Sequence, residues 1–356
     1  MNRRELLQFG AAAALSAVGG RALAGPSRRV KVGQVGTAHS HAAGKLAAVR
    51  EMPEVFELVG VVEPDEEKRR AAAGRKEYQG VRWLSREQLL SEAGLDAVMV
   101  EAEVAECVAA AMPFAEAGMH IHLEKPGGAS MGDFRRLVET VRSKRRVLQM
   151  GYMFRYNPAF QLCFQAVREG WLGNVYEVNG VIGKVIGAAE RKPLAQFGGG
   201  MMFELGCHLI DAMVAVLGAP AGVRAHVRKM RPEQDELADN CLAVFEYPKA
   251  LATIRSAAVD VEGNARRQFG VCGDKGAVTI LPLEPPKVSL TLTAARGGYA
   301  KGRHPVELPR MTGRYDELVA DFAAMVRGER EPAFDFEHDL AVMGAVLGGG
   351  GMAGGG

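Results

Sequence analysis

From residue 30 onward, short apolar runs alternate with longer amphipathic stretches. The runs at Val30–Val35, 58–62, Ala97–Val100, 119–123 and 147–150 are brief and mostly apolar, the mark of strands buried on both faces. Between them, Ala42–Arg50, 64–75, 86–93, 108–117 and 134–143 read as helices. Strands and helices taking turns at this spacing predict βαβ units and a doubly wound parallel sheet, an α/β Rossmann domain over residues 28–152.

Past Tyr152 the rhythm changes. One helix at 158–169 is followed by strand-like segments at 175–181, 223–227, 242–247, 250–256, 269–272 and 277–280. Tyr247-Pro248-Lys249 and Gly273-Asp274-Lys275-Gly276 read as hairpin turns. Strands without intervening helices predict an α+β domain over 153–347 with a largely antiparallel, open sheet. Helices at 315–327 and 337–347 close it. The glycine-rich end, 348–356, offers no side chains for packing and is expected to be disordered.

The first 24 residues have a separate logic. Arg3-Arg4 precedes an apolar, alanine-rich run, and Ala22-Leu23-Ala24 offers a small-residue cleavage site. This resembles a twin-arginine signal peptide and predicts export to the periplasm; an accidental basic N-terminus would leave the chain in the cytoplasm. The run is too short and too broken by glycine for a stable membrane span.

Composition narrows the partners. The 356 residues hold 44 basic and 42 acidic side chains, and removing the signal takes away three arginines and one glutamate, leaving zero formal net charge. No basic stripe marks the chain, which excludes nucleic acid as a favoured partner and points to a small molecule. The five cysteines are scattered, with no CxxC pair to hold zinc or build a disulfide framework.

Four elements carry candidate chemistry. The first turn reads Gly36-Thr37-Ala38-His39-Ser40-His41, where a dinucleotide site needs amides and a helix N-terminus facing a pyrophosphate. Only Gly36 matches the glycine fingerprint; Ala38 and His41 stand at the second and third glycine positions. Glu63 closes the second strand, where a carboxylate can accept from both adenine-ribose hydroxyls and repel a 2′-phosphate. That favours NAD, with NADP as the second option. A surface acid at a helix start is the plainer reading. The third element, Glu124-Lys125-Pro126, leaves a strand at the carboxyl edge of the sheet, where an ammonium can stabilise a developing alkoxide. A solvated turn is its bland alternative. The fourth is the run from Gly198-Gly199-Gly200 into a helix carrying Glu204, His208 and Asp211. Helical spacing puts the three polar groups on one face of an apolar stretch. They form either a satisfied core pair or an acid/base site.

Taken together, Glu124-Lys125-Pro126, Phe154-Arg155-Tyr156-Asn157-Pro158 and Gly199-Gly200 leading to His208-Leu209-Ile210-Asp211 resemble the Gfo/Idh/MocA oxidoreductase family, from Val30 to about Leu347. The resemblance implies a Rossmann domain followed by an open-sheet domain, and a homodimer or homotetramer. It also implies a hydride transfer between nicotinamide and a carbinol carbon of a sugar, cyclitol or polyol. It makes Lys125 and His208 catalytic, with Glu204 where the family usually has aspartate, orienting His208 or meeting a second hydroxyl. Gly36, Thr37, Ala38, His39, Glu63, Glu101, Glu124, Lys125 and Pro126 are the expected cofactor residues, and Tyr152, Arg155, Asn157 and Asp211 the expected substrate or supporting residues. The stretch 186–197, with Arg191 and Lys192, is expected to border the pocket.

Three rival readings accompany this one. An exported relative could retain NAD and cleave glycosides by transient oxidation and elimination. A binding protein could keep the fold and lose the chemistry. A metal site, suggested by His39/His41, His120/His122 and Glu204/His208, ranks last, because histidines at a nucleotide loop more often serve as hydrogen-bond groups; no metal is expected.

Overall fold

The computed structural model describes residues 28–352. The signal expected over 1–24 and residues 353–356 lie outside the described residues. Strands β1 (Val30–Val35), β2 (Phe56–Val62), β3 (Trp83–Leu84), β4 (Ala97–Val100), β5 (His120–Leu123) and β6 (Leu148–Met150) form one sheet in the order β3-β2-β1-β4-β5-β6. Every pairing in it is parallel. β4 is buried along its whole length, which is why it reads as an unbroken apolar run. Helices α1 (Ala42–Arg50), α2 (Glu66–Ala73), α3 (Arg86–Ser91), α4 (Cys107–Glu116) and α5 (Met131–Ser143) make the crossovers. Strand order reverses between β1 and β4. The loops that begin at Gly36 and Glu101 therefore flank the crevice where open α/β sheets bind ligands.

The second unit contains α6 (Pro158–Arg168), α7 (Ala188–Leu194), α8 (Cys207–Leu217) and an eight-stranded sheet. Its strands are β7 (Val175–Gly183), β8 (Gly222–Arg228), β9 (Asn240–Glu246), β10 (Leu251–Ala257), β11 (Gln268–Gly273), β12 (Gly276–Ile280), β13 (Val288–Leu292) and β14 (Gly302–Val306). They run in the order β14-β13-β12-β11-β7-β10-β9-β8, antiparallel except for β7 beside β10. The alternation of buried and accessible residues in β9 and β10 shows one covered face. The other face presents Glu177, Asn179, Leu251 and Arg255.

Three features differ from the sequence pattern. β3, β13 and β14 were not expected; β3 is only two residues long, and Pro305 disguises β14, where an edge strand tolerates it because only one side is paired. The two C-terminal helices, α9 (Asp316–Val326) and α10 (Phe336–Gly349), return to the Rossmann domain, α9 against α1 and α10 against α5 as well as α8. The Gln149 amide donates to the Leu318 carbonyl at 3.1 Å across this junction. The tail expected to be disordered from Gly348 is packed as far as Met352. A Cβ at Gly349 would lie 3.1 Å from the Phe245 ring, and one at Gly350 2.9 Å from the Gly199 backbone. The missing side chains are what allow this approach.

Candidate active site

The nucleotide loop is built on Gly36, whose φ of +85° and whose proximity to Ala102 both require glycine. A Cβ there would sit 2.6 Å from the Ala102 backbone. Thr37 ties the loop to the end of β2: its N–H and its Oγ1 each donate to Glu63 Oε2 at 2.8 Å. Ala38 and Ser40 are exposed, whereas His39 is buried. The cradle thus fits a dinucleotide at its adenosine end, with an acid at the ribose position and Ala38 exposed beside it.

Deeper in, α1 contributes Lys45, a fully buried lysine that the sequence reading passed over. Its only signal was a lone cation in an otherwise apolar helix face. Lys45 Nζ donates to Glu101 Oε1 at 2.9 Å and to Glu124 Oε2, and lies 2.7 Å from His122 Nε2. His41 Nδ1 is 3.2 Å from Glu124 Oε1, and His39 Nδ1 is 3.8 Å from Oε2. Glu101 and Glu124, expected beside the cofactor, are instead turned inward to this lysine. Burial and the neighbouring carboxylate push Glu101 up to about 8, although Lys45 opposes the shift. Burial and the lysine also hold His122 down at about 3.

Lys125, next along the chain, faces the opposite way. Its ammonium donates to both the Glu204 main-chain oxygen and Glu204 Oε1 at 2.8 Å. Burial would lower its pKa, but Glu204 more than offsets this, and the group is held above the ordinary lysine value. Glu204 reaches Lys125 because Met202–Gly206 forms a π-helical turn ahead of α8. The wider turn breaks the α-helical stripe expected to align Glu204, His208 and Asp211. Glu204 makes no hydrogen bond to His208, so the expected orienting contact is replaced by the lysine pair. The His208 ring packs edge-on to Tyr152, and its Nδ1 is buried without a partner. Burial first, then Lys125, keep this imidazole well below its usual pKa and neutral.

A cavity of about 620 Å³, ample for a small ligand, opens over these groups. His41, Lys125, Glu204 and His208 form its inner end, and Arg267 and Arg314 come from the second unit. No sequence signal marked those two arginines. None of the four expected substrate residues, Tyr152, Arg155, Asn157 and Asp211, lines the cavity. Arg155 is buried between Asp211, at 2.7 Å, and Asp339, at 2.6 Å, and His338 Nε2 adds a contact to Asp211 at 3.1 Å. Asn157 caps α6 by accepting from the Ala159 N–H at 2.9 Å. Tyr152 lies behind His208, its hydroxyl buried and unpartnered. Arg191, expected at the pocket border, is ion-paired with Asp235 and Asp239.

Comparison with known proteins matches this arrangement. Residues 30–152 match an oxidoreductase family with an NAD-binding Rossmann fold, and residues 160–279 match the GFO/IDH/MocA C-terminal domain. Inositol 2-dehydrogenase 1 of Saccharopolyspora erythraea is 29% identical over 84% of this chain and 87% of its own length. D-glucoside 3-dehydrogenase of Escherichia coli is 27% identical over 47% of this chain. The chain spans about half the length of that relative, 53%. Levoglucosan dehydrogenase, solved with NADH and levoglucosan, shares the fold at a TM-score of 0.77 and 17% identity, covering 92% of this chain and 97% of its own.

Proposed function

The chain belongs to the Gfo/Idh/MocA oxidoreductase family, and from that premise we propose that it is an NAD-dependent dehydrogenase of a sugar, cyclitol or related polyol. The observation that carries this reading is the convergence of Lys125, Glu204 and His208 on one cavity beside the nucleotide loop. Bound NAD supplies the hydride acceptor or donor. Gly36, Thr37 and Glu63 hold its adenosine end, and the Glu63 carboxylate favours NAD over NADP by repelling a 2′-phosphate.

The chain's own groups divide the rest of the work. His208 is neutral and has room for a proton, so it takes the substrate hydroxyl proton in oxidation and returns it in reduction. Lys125 stays charged, which makes it a donor that steadies the alkoxide as it develops, not the base. Glu204 fixes the ammonium from two directions. Arg267 and Arg314 line the outer cavity, where they can meet further hydroxyls.

The test is an NADH-linked assay over a panel of hexoses, inositols and sugar alcohols. Lys125→Ala and His208→Ala are expected to lose about 100-fold or more in kcat, with NADH affinity retained. Full turnover in either variant would overturn the assignment. The reading includes export through the twin-arginine signal, checked by cell fractionation. It also includes a homo-oligomer through the accessible face of the larger sheet, checked by light scattering.

A further inference from the structure

The fold gathers His39, His41 and Glu124 into a cluster that the proposed dehydrogenase chemistry leaves unused. One ligand atom from each lies within 4.8 Å of the others. His41 Nδ1 and His39 Nδ1 stand 3.2 Å and 3.8 Å from the two Glu124 oxygens, separations that nitrogen and oxygen donors about 2.0–2.2 Å from one centre would show. All three side chains are secluded, Glu124 completely so and the two histidines nearly so.

Lys45 is, among the described residues, the ammonium bonded to the fully buried Glu101 and Glu124. Lys125, the nearest other cation in sequence, is taken by Glu204. Lys45 bonds Glu124 through Oε2, so Oε1 faces His41, and Glu101 Oε2 beside them is buried with no partner. Of the two histidines, His41 stands where the dinucleotide fingerprint has its third glycine, so it changes the local chemistry of that loop and not merely its shape.

We infer that His39, His41 and Glu124 bind one divalent transition-metal ion at the inner end of the substrate cavity. The donor set of two imidazoles and one carboxylate selects zinc, cobalt or a similar ion over magnesium or calcium. Lys45 then acts on the far oxygen of Glu124, holding the carboxylate in place as supporting hydrogen bonds do around metal ligands. The backbone N–H of His41 donates to His39 Nδ1 at 3.2 Å, a bond that the metal replaces on binding.

The experiment needs no substrate, so its outcome is separate from that of the dehydrogenase reading. Full-length protein is stripped with a chelator and titrated calorimetrically with Zn²⁺, and separately with Co²⁺ under visible spectroscopy. One equivalent is expected to bind, with Co²⁺ absorption showing imidazole and carboxylate ligation. His39→Ala and His41→Gly are each expected to weaken binding more than about 100-fold, exceeding the loss typical of supporting groups. His226→Ala, at an exposed position in β8, serves as the control and keeps wild-type affinity. Circular dichroism establishes that each variant is folded, and Glu124→Gln, which keeps the side-chain shape, substitutes for any that is not. The inference is overturned if the stripped protein takes up no stoichiometric metal, or if folded His39, His41 and Glu124 variants bind it as wild type does.

Discussion

Lys125 and Glu204 meet across 79 residues of sequence, the ammonium donating at 2.8 Å to both the main-chain and a side-chain oxygen of the same glutamate. The double contact sets both the position and the charge of the lysine. Glu204→Gln keeps the main-chain acceptor and removes the charge that opposes burial, so the Lys125 pKa falls. A kcat lower by about 10- to 100-fold is expected, about 1.4–2.7 kcal/mol of barrier, with NADH affinity unchanged. Glu204→Asp, which restores the residue common in the family, is expected to retain most activity. Steady-state kinetics with parallel NADH binding checks both.

The Arg155 cluster is structural. It joins the segment after β6 to α8 and α10 through Asp211 and Asp339, all nearly inaccessible. Asp211→Asn leaves the guanidinium paired with Asp339 alone and weakens the charge-assisted hydrogen bonds from Arg155 and His338. A stability loss of about 1–3 kcal/mol is expected from urea denaturation. NADH affinity of the folded fraction should stay near wild type; a selective loss of substrate affinity without a stability loss would instead make Asp211 a substrate contact.

His120 sets a pH dependence of stability. Burial, aided by Arg146, lowers its pKa to about 4, while its Nδ1 accepts the Val147 N–H at 3.0 Å. The unfolded chain binds a proton below about 6.5 and the folded chain only near 4. The contribution is therefore fully present above 6.5 and is lost as pH falls through that window. Because the ring is partly exposed, about 1 kcal/mol is expected between pH 7.5 and 5. His120→Gln should flatten the pH profile of denaturation by that amount.

Gly36→Ala tests the cradle. The substitution forces a side chain into a φ of +85° and against the Ala102 backbone. A cost of about 1–3 kcal/mol is expected in stability, together with weaker NADH binding as the loop shifts away from Glu63. An unchanged melting temperature and affinity would show that the loop bears no such constraint.

The elements that the sequence displays most plainly are those whose residues pack locally. β4 announces itself because a strand covered on both faces must be apolar throughout, and α5 because its buried Phe134, Leu137, Val138 and Val141 recur at helical spacing. β14 was hidden by Pro305, whose tolerance depends on an edge position that no local pattern encodes. The glycine-rich end looked unable to pack because glycine offers no side chain. Its packing partners, Phe245 and Gly199, lie far back in the chain.

The chain's sequence alone determined the doubly wound order of the first unit, the strand-rich second unit, and the candidate roles of Gly36, Glu63, Lys125 and His208. Their residue types and positions are local facts. Tertiary structure decided how the charges pair. Lys45 sits in an unremarkable helix until folding brings Glu101, His122 and Glu124 around it. Asp211 shares a helix with His208 yet turns to Arg155, and Glu204 turns to Lys125 through a π turn that periodicity does not reveal. Buried charges must find partners wherever the fold places them, and those partners are set by three-dimensional proximity and not by spacing along the chain.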